Sequence, residues 1–277
     1  MQCIVSRIAF SRWWPGDEES LFVMGADGSQ VAQLTAGEQG HCHGPAWSPD
    51  GRRICFVSRR DGYSSLCVIN ADGSSEVRLT AVEGLDDDLP NWSPDGRTVV
   101  FSRGNGGEPE GLWLVDVTTG EERALGTGGH TNYRPSWSPD GRFVAFRRSL
   151  AERPGVYVMP AVGGDPWYLA RGRDPCWSPM DDRIACAHGE SLWAVPVDSG
   201  GRLSGDPTQL TRHPRAVDRY PSWSPDGTHL AFEREGATQG EPASRIMTIA
   251  TNGSGLRDLG EGRMPAWSPA RPDAQAL

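Results

Sequence analysis

The chain has 277 residues, 37% of them hydrophobic, with 35 Gly and 22 Pro, a composition that suits many short strands joined by tight turns and not helical packing. Its formal net charge of −9 argues against nucleic acid as the main partner, because phosphate binding needs a basic stripe. All 27 basic residues are arginine, so a Schiff-base mechanism, which needs a lysine amine, is excluded.

The opening MQCIVSRIAF shows no basic n-region, long apolar run or cleavage motif and passes straight into a strand, so a cytoplasmic protein is expected. No stretch approaches the roughly 20 apolar residues that span a bilayer, and no membrane contact is expected. RIAFSR (Arg7 to Arg12), LFVMGADGS and VAQLT then form an incomplete first repeat. Trp13 and Trp14, in SRWWPGDEES, fall in the loop after its first strand. Beside Arg12 and Pro15 they have the composition of a binding hot spot; the alternative is a lid over the blade edge.

From Gly44 onward one stretch recurs: GPAWSPDG, LPNWSPDG (from Leu89), RPSWSPDG (from Arg134), DPCWSPMD (from Asp174), YPSWSPDG (from Tyr220) and MPAWSPAR (from Met264). The tryptophans Trp47, Trp92, Trp137, Trp177, Trp223 and Trp267 are 45, 45, 40, 46 and 44 residues apart. A Trp signature at this period marks a β-propeller. Each of the first five copies precedes an apolar strand (RRICFVS, RTVVFSR, RFVAFRR, DRIACAH, THLAFER), a second strand, a Gly-containing turn and a short outer strand. Asp-Gly and Asn-Gly pairs tolerate the positive φ that tight hairpins require.

The fold predicted is all-β: a six-bladed propeller with four antiparallel strands per blade. The lone C-terminal MPAWSP strand joins the N-terminal blade and closes the ring, which removes exposed sheet edges. Residues 1–277 form one domain in this reading. Blade 1 takes 264–269 plus 7–35, and the others 45–80, 90–125, 135–170, 175–211 and 221–259. The Trp is expected between blades, with the small residues beside it (Ala46, Ser48, Ser136, Ser138) facing the central channel, so the Trp-Ser-Pro motif is read as structural. Of the six cysteines (Cys3, Cys42, Cys55, Cys67, Cys176, Cys186) none form a CxxC pair, and reduced core thiols are expected rather than a disulfide framework.

GPAWSPDGRRICFVSRRDG, together with RIAFSR and LFVMGADGSQVAQLT, resembles the TolB-type propeller repeat, and the resemblance covers the whole chain in weaker form. Met180 and Asp181 in blade 5, and Ala270 and Arg271 in the last copy, depart from its Asp-Gly. The family implies partner binding in the cell envelope, propellers that guard peptidases, and distant seven-bladed lyases with a metal in the mouth. The motif speaks for fold and not for function, because propellers host unrelated activities.

The ligand face of a propeller is built by the loops that enter the innermost strands. Four residues before each Trp stand His43, Asp88, Tyr133, Arg173, Arg219 and Arg263. Arginine forks suit carboxylate or phosphate, so Arg173, Arg219 and Arg263, with Arg134, Tyr220, Trp13 and Trp14, are the candidate ligand residues. The expected ligand is an anionic or zwitterionic small molecule or a peptide, with a protein partner as a further option and the chain itself a monomer. The alternative is that the arginines pair with Asp174, Asp218, Glu261 or Asp88 and only tie loops together. His43, Asp88, Tyr133 and His130 are the candidate catalytic groups of an enzyme reading, as a lyase, hydrolase or cyclase. His41, His43, Asp88 and His130 are candidate ligands for a divalent metal (Zn, Mn or Ca), and Cys42 between two histidines a candidate nucleophile. No GxSxG, P-loop or HExxH occurs.

Overall fold

The computed structural model describes residues 6–14, 18–36, 40–60, 62–105, 109–126, 130–149, 152–236 and 244–270; the side chains of residues 14, 109 and 110 are not part of that description. Cys3, Pro15 and Arg271 lie outside it. Among the described residues every regular element is a strand.

Each Trp-Ser-Pro strand is the innermost of its blade. These are β4 (His41–Trp47), β8 (Asp86–Trp92), β12 (Asn132–Trp137), β16 (Arg173–Trp177), β20 (Val217–Trp223) and β24 (Arg263–Trp267). Each pairs antiparallel with the strand that follows it, β5 (Arg53–Arg60), β9 (Thr98–Gly104), β13 (Phe143–Arg148), β17 (Arg183–His188) and β21 (His229–Glu235); β24 pairs instead with β1 (Arg7–Trp14). The third strands are β2 (Glu18–Gly25), β6 (Tyr63–Asn70), β10 (Pro109–Asp116), β14 (Gly155–Pro160), β18 (Ser191–Pro196) and β22 (Ser244–Ala250). Short outer strands β3 (Ala32–Gln33), β7 (Val77–Arg78), β11 (Glu122–Ala124), β15 (Trp167–Ala170), β19 (Thr208–Gln209) and β23 (Arg257–Glu261) complete six sheets of four.

The chain ends are stitched as expected. Ile8 faces Trp267 and Ala9 faces Ala266 in the β1–β24 ladder. Beyond it the Ser268 amide donates to the Arg7 carbonyl at 2.8 Å, and the Arg7 amide to Ser268 Oγ at 2.9 Å. Hydrogen bonds between successive inner strands run right round the ring. Trp47 Nε1 donates to the Ala266 carbonyl at 3.0 Å, Trp92 Nε1 to Ala46 at 3.1 Å and Trp223 Nε1 to Cys176 at 3.0 Å. Backbone amides of Trp137, Trp177 and Trp267 donate to Asn91 Oδ1, Ser136 Oγ and Ser222 Oγ at 2.8, 3.1 and 2.9 Å. The residue before each Trp therefore addresses the neighbouring blade through either its carbonyl or its side chain. Ser136 does this instead of simply facing the channel.

The Ser and Asp of WSPDG fasten the turn that follows. Ser48 Oγ donates to Asp50 Oδ1 at 2.6 Å, Asp50 Oδ1 accepts from the Arg52 amide at 3.0 Å, and Gly51 takes φ +65° to close it. The same staple recurs at Ser93–Asp95, Ser138–Asp140 and Ser224–Asp226. Blade 5, lacking Asp-Gly, uses the Asp181 amide to Ser178 Oγ at 3.3 Å and leaves Met180 exposed.

The core lies between blades. One cluster joins Ala9, Leu21 and Val23 of blade 1 to Trp47, Ile54, Phe56 and Ile69 of blade 2, and five more repeat the pattern around the ring. Each second strand sets a fully buried Phe at its centre (Phe10, Phe56, Phe101, Phe146, Phe232), except blade 5, where Cys186 stands. The described cysteines are all free thiols, and burial pushes the Cys186 thiol up to about 12. At physiological pH it is a small apolar residue and no nucleophile.

Candidate functional site

Every inner strand carries one extra residue relative to its partner. Between His43 and Ala46 the chain advances three residues while the facing strand retreats two, from Val57 to Cys55. The same offset separates Asp88/Asn91, Tyr133/Ser136, Arg173/Cys176, Arg219/Ser222 and, against β1, Arg263/Ala266. The bulge falls on the residue before proline. Gly44 sits there at φ +60°, and Leu89, Arg134, Asp174, Tyr220 and Met264 adopt the same left-handed conformation at +54°, +57°, +55°, +52° and +48°. Proline is tolerated because the inner strand is an edge and the missing N–H breaks no ladder bond. For a residue with a Cβ this backbone is unfavourable, and a strained conformation repeated at a bulge re-aims a side chain.

The consequence is a ring displaced by one residue from the position four before Trp. Gly44, Leu89, Arg134, Asp174, Tyr220 and Met264 line the central channel, a cavity of about 420 Å³ floored by the tryptophans and prolines. Its wall has two halves. Blades 1 to 3 contribute Met264, Gly44 and Leu89, all apolar. Blades 4 to 6 contribute Arg134, Asp174 and Tyr220, and Arg134 touches both of the others. Arg134 Nε lies 2.8 Å from Asp174 Oδ1, and Arg134 Nη2 donates to the Tyr220 hydroxyl at 2.6 Å with the guanidinium 4.1 Å from the ring centroid. Arg134 thus spans two blade joints. Asp174 is 6% exposed, and its second oxygen, Oδ2, is buried without a hydrogen-bond partner. Burial pushes the Tyr220 phenol up, with the Arg134 charge opposing, so the hydroxyl stays neutral.

The residues four before Trp stand outside this wall. His43 Nε2 lies 3.3 Å from Asp88 Oδ1. Burial pulls the imidazole down, but the Asp88 hydrogen bond and charge outweigh it and leave His43 above its ordinary value. Asp88 also accepts from the Leu89 amide at 2.8 Å. Each of the three arginines lies beside a carboxylate, outside close hydrogen-bonding range. Arg173 is 3.9 Å from Asp174, Arg219 3.6 Å from Glu235, and Arg263 3.6 Å from Glu233 and 3.9 Å from Glu19. Arg173 Nε and Arg219 Nε are buried without hydrogen-bond partners. Asp218 is committed elsewhere, to Arg234 at 2.7 Å.

The sequence matches the TolB beta propeller domain family over residues 5–173 and 88–271, nearly its whole length. The chain belongs to the TolB beta-propeller family. The fold of this TolB-type propeller recurs in TolB from Acinetobacter baumannii (23% identity, TM-score 0.79, 95% of this chain on 67% of that one). It recurs in hydrazine synthase from Kuenenia stuttgartiensis (14%, 0.77, 96% on 47%) and in oligogalacturonate lyase from Vibrio parahaemolyticus (16%, 0.54, 90% on 71%). At these identities the likeness is one of fold alone. No curated protein matches the sequence.

The remaining candidates of the TolB-type propeller lie elsewhere. Trp13 is exposed and sits at the end of strand β1, not in a loop, tilted against His41 with ring centroids 5.7 Å apart; Trp14 continues the strand, and its side chain is outside the described set. His41 Nδ1 accepts from the Glu19 amide at 3.4 Å. His130 is exposed, and Tyr133 is half-buried in register with Arg147. Among the described residues no three His, Cys, Asp or Glu side chains gather as a metal site; of the four candidate ligands, His43 and Asp88 are brought together. Burial pushes Cys42 up to about 11, which argues against a nucleophile there. Sequence reasoning included Arg134 and Tyr220, named Asp174 only as a possible partner of the arginines, and passed over Leu89 and Met264. The signal that marks them is the invariant proline behind a variable residue in all six copies.

Proposed function

We propose that the protein is a binding module whose axial channel takes a small zwitterion or the free end of a peptide. The observation that carries this reading is the ring of left-handed residues, which commits backbone strain at five non-glycine positions to aim side chains at one space. The channel's volume suits an amino acid or a short peptide end. The buried, half-satisfied Asp174 carboxylate is fitted to accept from an ammonium, while Arg134 and the buried Nε groups of Arg173 and Arg219 favour a carboxylate. Carboxylates beside each arginine make the mouth mixed in charge, which favours a zwitterion over a simple anion. Leu89 and Met264 offer the apolar wall for the ligand's own side chain.

Calorimetric titration with unblocked di- and tripeptides, and with the same peptides acetylated or amidated, tests this. Unblocked peptides are expected to bind more tightly than either blocked form, and Asp174→Asn to lose about tenfold in affinity, as for a hydrogen bond to a charged group. Equal binding of blocked and unblocked peptides, or none by either, would overturn the reading.

A further inference from the structure

The 40-residue spacing between Trp137 and Trp177, the shortest of the five, has a structural counterpart off the axis. Of the connectors from outer strand to next inner strand that are described throughout, 79–85 and 210–216 have seven residues, and Gly262 alone joins blade 6 to blade 1. Between blades 4 and 5, β15 ends at Ala170 and β16 begins at Arg173, leaving Arg171 and Gly172 alone. Gly172 presses against blade 5 at φ +146°, where a Cβ would stand 2.9 Å from Cys186 Sγ and 3.1 Å from the Ala187 carbonyl. The neighbouring hairpin of blade 5 is equally spare, since His188 pairs with Ser191 across Gly189–Glu190.

A cavity of about 400 Å³ opens at this joint, and four of its lining residues are Arg147, Arg153, Arg171 and Arg173. Glu152 is the one carboxylate in the lining, so with His188 neutral the wall carries four positive charges against one negative, a net of +3. Two of the guanidinium groups donate to backbone carbonyls. Arg147 Nη1 donates to the Gly172 carbonyl at 3.0 Å and Arg173 Nη2 to the Gly189 carbonyl at 3.4 Å. The Nε of both is buried without a hydrogen-bond partner. Asp174, beside Arg173, stands 3.9 Å off and is engaged by Arg134 at 2.8 Å. Arg153 stacks on Tyr168, 3.8 Å from the ring centroid. Like charges gathered around one cavity repel, and arginine forks match the oxygens of a tetrahedral oxyanion.

We propose that this pocket binds a phosphorylated small molecule, its phosphate monoester dianion held by the arginines and its organic part against Tyr168 and Pro154. A phosphate ester suits the net charge better than a single carboxylate, and the volume admits a sugar or polyol phosphate. The site is separate from the axial channel: the two share no lining residue, although Arg173 stands 3.9 Å from Asp174 of the channel wall.

Calorimetry on the full chain with glucose 6-phosphate and glucose 6-sulfate, at low and moderate salt, tests it. The phosphate ester is expected to bind more tightly than the sulfate ester, which has the same shape and one charge fewer, and binding should weaken with salt. Arg153→Ala and Arg171→Ala, both at exposed positions, should each lower affinity about tenfold or more. Glu152→Gln should raise it about threefold, and Arg123→Ala, on a different blade, should leave it unchanged. Absence of binding, equal binding of the sulfate ester, or affinity unmoved by both arginine variants would overturn the proposal. Neither Arg153 nor Arg171 lines the channel, so failure here leaves the zwitterion reading standing, and the reverse holds too.

Discussion

Trp92 shows what a repeat tryptophan does where its indole N–H reaches the preceding blade, as those of Trp47 and Trp223 also do. It is 5% exposed, packs between blades 2 and 3 under the Arg53 guanidinium at 5.0 Å, and spends its indole N–H on Ala46 of the preceding blade. Trp92→Ala is expected to cost about 3–5 kcal/mol in urea unfolding, the range for truncating a buried large aromatic. Trp137 is half-buried with no partner for its Nε1, so the same change there should cost less. A second residue-scale consequence follows from His43 and Asp88. His43 is held above its ordinary 6.5, so the stability it brings is fully present below that value and is lost as pH rises through the raised one. Asp88 is held below its ordinary 3.8, so its share is present above 3.8 and is lost as pH falls through the lowered value. The difference in melting temperature between wild type and Asp88→Asn should therefore be largest between about pH 4 and 6.5 and shrink on the alkaline side. A pH-independent difference would show that the two groups do not interact as ions.

At the scale of the element, the inner strand is a bulged edge, and the bulge decides which side chain faces the channel. Leu89 provides a test, since its left-handed backbone carries a cost of about 1–2 kcal/mol for any residue with a Cβ. Leu89→Gly relieves that cost and should change stability by less than about 1 kcal/mol despite losing the whole side chain. Leu89→Val keeps more apolar surface yet should destabilise more, because a β-branched residue is an outlier in this region. The opposite order in chemical denaturation would mean that the bulge is not strained. The connector between blades 4 and 5 is held by the reverse requirement. Gly172→Ala puts a Cβ against Cys186 and Ala187 at 2.9 and 3.1 Å and should cost about 1–3 kcal/mol, as overpacking does.

The whole molecule stands or falls as a ring, because its core lies between blades and not inside them. Removing residues from Arg263 onward takes β24 away from β1, uncovers the Phe10 side of the joint between blades 6 and 1, and opens an edge. The truncated chain is expected to lose its single cooperative unfolding transition, read by urea titration with two probes. Retention of one coincident transition at the wild-type midpoint would show that closure contributes nothing.

Period and turn chemistry were legible in the chain itself. The Trp spacing, the period-2 apolar strands and the Ser–Asp staple of WSPDG are local properties, so six blades, their closure and the structural use of Trp-Ser-Pro could be read residue by residue. The inward-facing ring could not be read that way. A strand's register depends on its partner, and one extra residue in each inner strand moved the channel wall from His43, Asp88, Tyr133, Arg173, Arg219 and Arg263 to the residues that follow them. Partner choice was equally non-local. Arg134 reaches Tyr220 two blades away, and the surplus of arginine at the joint of blades 4 and 5 is gathered from strands and turns between Arg147 and Arg173. Side chains meet through the closed ring and not through the chain, so only the tertiary structure decided which charges compensate one another and which do not.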